Sequence, residues 1–168
     1  MSMPRSLPVE PLTAEAFAPY GQVIECAGHR SLPINHATSR RFSDLAQLET
    51  DPDGRLALSI FQARARQRPY LLDTLERHPL GSQAFMPLNG QPFLIVVCAA
   101  RPAPEAPETA ALKAFVSHGK QGINFRRGTW HHPLLALADA DFLVADRLGP
   151  GHNCEEIDIA HWQIRVDY

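Results

Sequence analysis

Proline and glycine punctuate this chain too often for a long helix to form. Fifteen prolines and ten glycines fall among its 168 residues. Proline removes a backbone donor and glycine loosens the backbone, so such a chain breaks into short segments joined by turns. Within the segments, apolar side chains alternate. Over residues 56–61, Leu56, Leu58 and Ile60 share one face, while Ala57, Ser59 and Phe61 share the other. That is the two-residue period of a strand. Many short strands with regular turns predict an all-β fold, a sandwich or barrel, with a few short helices.

Taken in order, residues 1–11 read as a strand or loop broken by Pro4, Pro8 and Pro11. Thr13 can cap a short helix that Pro19 and Gly21 stop within two turns. Residues 22–25 suit a strand, and 26–40 read as a loop. Residues 70–78 are extended and end at Pro79. Asn89-Gly90 lies between two apolar runs, 84–88 and 91–99, which predicts a hairpin. Residues 101–108 read as a proline-rich surface loop, 112–117 as a strand, and 123–125 as a short extended piece. Residues 134–137 and 142–145 read as a second hairpin, and 162–166 as an added strand.

At 168 residues the chain has the size of one domain that needs no staples. Sixteen basic against eighteen acidic side chains leave a net charge of −2, which excludes a basic footprint for nucleic acid. Cys26, Cys98 and Cys154 are far apart and odd in number, so no disulfide framework is implied. A reducing, cytoplasmic setting follows. The N-terminus lacks a signal-like apolar stretch, and the longest apolar run, 93–100, is far short of a membrane span.

Two stretches carry the chemistry. One, residues 76–90, holds Glu76, His78 and Gln83; the other, 128–133, holds Trp130, His131 and His132. In an extended segment Glu76 and His78 leave the same face, so both can point into a barrel. Gln83, beyond the bend at Pro79 and Gly81, can return to the same centre, and His131 can answer from an opposing strand. Carboxylate, imidazole and amide oxygen suit a divalent metal such as Mn, Ni, Zn or Fe. The same pair, Glu76 and His78, equally describes a solvated strand face. His131 and His132 point opposite ways, so one of them is structural or at a subunit contact. Trp130 reads as a core or interface aromatic. Arg40-Arg41, after a loop with Asn35, can clamp a carboxylate; a surface pair is the plainer alternative. Asp146-Arg147 reads as an ion pair. A carboxyl such as Glu76 inside an apolar barrel is expected to have a raised pKa.

The spacing resembles that of the cupin family. Glu76-x-His78, four residues, Gln83, six residues, Gly90 follows the first cupin motif, with Glu for the first His and Gln for the Glu. Arg126-x-Gly128, two residues, His131 follows the second, with Arg for Pro, and selects His131 as the inward histidine. More specifically, residues 76–85, 121–125, 130–134 and Asp146-Arg147 resemble the ureidoglycolate lyase family. So do Ala16-Phe17-x-x-Tyr20-Gly21 and Ile34-Asn35 with Arg41. The last fifteen residues add nothing to the resemblance.

That resemblance implies a cupin-like β-barrel or jelly roll, a homodimer, and cleavage of (S)-ureidoglycolate to glyoxylate and urea. For that cleavage Glu76, His78 and His131 are expected as catalytic residues, with His131 or Glu76 the base, and Asn35, Arg41 and Gln83 as substrate-binding ones. A divalent metal, Ni or Mn/Zn, would sit on Glu76, His78, Gln83 and His131. The rivals are an amidohydrolase releasing ammonia and a non-catalytic cupin that binds a small acid.

Overall fold

The computed structural model describes residues 4–99 and 106–168, so most of the expected loop at 101–108 lies outside the described residues. Sixteen strands run through the described residues. They are β1 (Arg5–Pro11), β2 (Gly21–Ile24), β3 (Leu32–Ile34), β4 (Ser39–Arg41), β5 (Arg55–Ala63), β6 (Tyr70–Leu72), β7 (Thr74–Arg77) and β8 (Gln83–Pro87), followed by β9 (Phe93–Cys98), β10 (Lys113–Val116), β11 (Gly122–Phe125), β12 (Trp130–His131), β13 (Leu135–Ala136), β14 (Ala140–Leu148), β15 (Glu155–Asp158) and β16 (Ile164–Asp167). One short helix, α1 (Ala14–Phe17), begins where Thr13 accepts the amide hydrogen of Ala16 at 3.2 Å, as its sequence predicts.

The strands form a nine-stranded sheet, ordered β15-β7-β12-β9-β10-β1-β16-β6 with β13 also on β9, and a five-stranded sheet, β2-β11-β8-β14-β5. A separate ribbon pairs β3 with β4. The larger sheet curls into a half-barrel, and the β-rich, cupin-like expectation holds. Strand β9 explains the arrangement. Phe93, Ile95 and Val97 enter the core between the sheets, where they meet Phe85, Phe142, Phe125 and Phe115. Leu94, Val96 and Cys98 enter a second core with Leu75, Trp130, Leu72 and Ile164. A strand covered on both faces must be apolar at every position, which is why 93–98 lacks alternation.

This double burial also overturns both hairpin expectations. Asn89-Gly90 does join β8 to β9, but the two strands lie in different sheets. Gly90 takes φ +68° at a corner between layers, and Asn89 accepts the amide hydrogen of Asp141. Residues 134–137 and 142–145 likewise separate: β13 pairs with β9, and β14 pairs with β8 and β5. A turn signal fixes a change of direction, not the partner. The loop expected at 26–40 contains the β3–β4 ribbon, turned by Asn35, His36 and Ala37 at positive φ. The expected last strand starts two residues late, after a 3-10 turn at Ala160–Trp162.

Asp146 and Arg147 do not pair with each other, because strand neighbours face opposite ways. Arg147 turns to the outer face and grips Asp51 in bidentate fashion at 2.7 and 3.1 Å. Gly81 is needed there: a Cβ would lie 2.7 Å from that of Arg147. The hydrogen bonds from Arg147, with its charge, hold the Asp51 carboxyl below its ordinary value of 3.8. A depressed carboxyl stabilises the fold above its unfolded pKa, and that contribution disappears as pH falls through the folded one. Asp51→Asn should therefore flatten the loss of melting temperature on acidification below about pH 4. Parallel melting curves for the two proteins across that range would contradict this.

Candidate functional site

The site lies between the two sheets at one end. On the larger sheet, His131 of β12 stands directly opposite Glu76 of β7, in line with Val97 of β9. Directly paired residues of an antiparallel ladder share a face, so both side chains face inward with Val97. On the smaller sheet, Gln83 stands between Phe125 of β11 and Asp146 of β14 on the inner face. His78 follows β7 and bridges the gap. Gly128, at φ +80°, makes the turn that starts β12, and its amide donates to the His78 carbonyl.

The four side chains expected to converge do so. His131 Nε2 is 3.3 Å and His78 Nε2 is 3.9 Å from Glu76 Oε1. His78 Nε2 is 3.1 Å from Gln83 Oε1. Gln83 Nε2 donates to Asp146 at 3.2 Å, which turns the amide oxygen toward His78. Each histidine donates Nδ1–H to a backbone carbonyl, His131 to Thr129 at 2.9 Å and His78 to Asn153 at 2.7 Å. Their Nε2 atoms are thereby aimed at the centre. The His131 ring is stacked on Phe125, with centroids 4.1 Å apart. His132 turns away to Asp73, 3.5 Å distant, as expected for its neighbour's opposite.

Burial differs along the cluster. The His131 side chain is 2% exposed, whereas those of Glu76 and His78 are 17% and 13% exposed, so access is from their side. The 3.3 Å approach to Glu76 is poorly aligned as a hydrogen bond, and His131 Nε2 has no hydrogen-bond partner. Burial lowers the His131 pKa against the opposing pull of Glu76, so the ring is neutral at neutral pH. For Glu76 the sequence expectation is reversed. Burial by itself raises the carboxyl, but the close approach of His131 and then the charge of His78 outweigh it and hold Glu76 below its usual value. An apolar chamber raises a carboxyl only when it brings no compensating cation.

Two residues near Glu76 and His78 escape sequence reading. Asn153 supplies the carbonyl that holds His78, and its side-chain oxygen accepts the Leu80 amide hydrogen at 2.8 Å. Cys154 Sγ lies 3.8 Å from a Glu76 oxygen, Oε2, and 3.8 Å from Glu156 Oε1. Burial, then the two carboxylates, push the thiol up to about 11, so it keeps its hydrogen. Pairing of β15 with β7 brings them in, a register no local motif encodes. Asn35 and Arg41 sit on the exposed β3–β4 ribbon, and no contact joins them to the cluster among the described residues.

Glu76, His78 and His131 offer donor atoms within 4.8 Å of one another, a group that could hold a metal ion. The orphaned, buried Nε2 of His131 and the Nδ1–H bonds to backbone carbonyls fit that use, since ligating histidines are oriented in this way. No helix among the described residues is long and apolar enough to cross a membrane.

Known proteins resemble this chain throughout. The family model described as ureidoglycolate lyase matches residues 4–167. A protein named ureidoglycolate lyase from Pseudomonas syringae pv. syringae is 51% identical over 164 residues, covering 96% of this chain and 95% of its own. One of the same name from Azotobacter vinelandii is 51% identical over 154 residues, covering 90% and 91%. Among solved structures, a dTDP sugar isomerase from Desulfovibrio desulfuricans is 17% identical with a TM-score of 0.47, covering 86% of this chain and 90% of its own. With the family model spanning nearly every described residue and half of all positions shared with these relatives, the chain belongs to the ureidoglycolate lyase family.

Proposed function

We propose that this chain cleaves (S)-ureidoglycolate to glyoxylate and urea, at the cluster of Glu76, His78, Gln83 and His131. The single observation that carries the reading is the convergence of His131 Nε2, neutral and unpartnered, with the Glu76 carboxylate at 3.3 Å. The substrate carbon bears a hydroxyl, a carboxylate and a ureido nitrogen. Its cleavage moves the hydroxyl proton to a base, forms the carbonyl, and breaks the C–N bond as an acid protonates the urea nitrogen.

His131 Nε2 takes the hydroxyl proton. Glu76 then stabilises the imidazolium, as a carboxylate beside a catalytic histidine does. His78 carries the proton that the departing urea receives, and Gln83, oriented by Asp146, holds the substrate. Each positioned proton transfer contributes roughly 10²–10⁴ in rate. Glu76 Oε1 faces both rings and lets the proton return from one to the other.

From the exposed β3–β4 ribbon, Arg41 holds the substrate carboxylate and Asn35 reads the ureido group. Arg41→Ala should raise KM about tenfold or more, the range of a lost charged hydrogen bond, and leave kcat closer to wild type. An unchanged KM would remove Arg41 from the site.

A divalent cation, Ni or Mn/Zn, is the second reading, favoured by the aim of the two Nε2 atoms. Glu76, His78, His131 and Gln83 would hold it, and when bound it supplies Lewis acidity that lowers the pKa of the substrate hydroxyl. The deciding experiment follows urea and ammonia from (S)-ureidoglycolate, with metal analysis and with chelator. Urea without ammonia supports the lyase; ammonia points to an amidohydrolase, and binding of glyoxylate without turnover to a sensor. Loss of activity on chelation with recovery on one added ion selects the metal reading.

The protein acts as a cytoplasmic homodimer in this reading. Three free cysteines support the compartment. Strand β5 supports the dimer: it ends its sheet and exposes Leu58 by 71% and Ile60 by 53%. Such an edge invites pairing.

A further inference from the structure

The site has a backing that the reaction scheme leaves unused, and its meaning rests on the function proposed above. Strand β15 sets Glu156 directly opposite Glu76, so two carboxylates share one face. Unrelieved, they repel, and Glu76, being partly exposed, has room to turn toward water. Cys154 stands between them, with Sγ 3.8 Å from each. Its contact is with Oε2 of Glu76, while Oε1 faces His131 and His78. One residue earlier, the Asn153 carbonyl holds His78 Nδ1 and the Asn153 side chain fastens the Leu80 amide. The chain here is therefore tied to both partners of the reaction at once.

We propose that Cys154 is a positioning residue: its S–H, directed at Glu76 Oε2, fixes the rotation of the carboxylate so that Oε1 stays on the two histidine rings. Cysteine suits the place because a thiol donates weakly. It orients the carboxylate without drawing off the charge that the His131 imidazolium needs.

The test compares Cys154→Ala, Cys154→Val and Cys154→Ser with wild type, by urea release and thermal melting. Alanine and valine remove the donor, valine while filling the volume. They should lower kcat about tenfold, the worth of one hydrogen bond to a charged group, with KM within about twofold. Serine restores a donor and should return kcat to within about threefold of wild type. A kcat for the valine or alanine variant within twofold of wild type, or a folded serine variant as impaired as valine, overturns the assignment. If alanine melts below the assay temperature, valine and serine decide alone. Absence of urea from the wild-type protein brings down the lyase reading itself, a result separable from an active wild type with unaffected variants.

Discussion

Glu76→Gln should lower kcat by about three orders of magnitude while the protein melts within a few degrees of wild type. The substitution keeps the size and hydrogen-bonding shape of the side chain. It removes the negative charge 3.3 Å from His131, and with it the stabilisation of the imidazolium. Glu76 is ionised in the resting site because the two histidines outweigh its burial, so the charge is present before substrate arrives. The amide cannot return a proton between the rings either. The loss should therefore fall on kcat, with KM little changed. Measuring both constants by urea release, with a melting curve on the same sample, checks it. A variant turning over at near-normal rate would remove Glu76 from the chemistry. A variant that unfolds would show its role to be structural.

Phe142→Ala should destabilise the protein by about 3–5 kcal/mol, the range for emptying a fully buried aromatic site. For a chain of this size that corresponds to roughly 6–20 °C in melting temperature. Phe142 is fully enclosed between the sheets and meets Phe93 and Phe85 edge-on, at 5.2 and 6.5 Å between centroids. Three rings from three strands leave no mobile neighbour to fill the void. The same strand, β14, carries Asp146, which orients Gln83. The variant should therefore lose part of its activity below its melting temperature as well. Chemical denaturation at 25 °C gives the free energy; a change under 1 kcal/mol would mean that this interior is loosely packed.

The site was more legible than the sheets that build it. Glu76, His78, Gln83 and His131 fall within strand periodicity and motif spacing, both local properties, and they meet as expected. Opposed directions for His131 and His132 follow from the same two-residue period. The pairing of β8 with β14 and β11, across 38 to 63 residues of chain, is not local. Asn-Gly marks a reversal in a hairpin and in a corner between sheets alike, so both hairpins were misread. The Glu76 pKa was misjudged for a related reason. Burial can be read from apolar neighbours in sequence, whereas the His131 imidazole that offsets it comes from another strand. Cys154 and Asn153 carry no motif and gain their meaning only from the β15–β7 register.

Strand β1 is held in parallel fashion by β10 on one side and β16 on the other. The first described strand thus cannot complete its hydrogen bonds until the last one exists. During synthesis, Leu7 and its partners in the second core wait for Ile164 and Val166, which are made more than 150 residues later. Closing a loop of this span costs entropy early and returns it late. Until β16 is in place, the exposed edge of β1 is a client for whatever cellular machinery shields unfinished sheets.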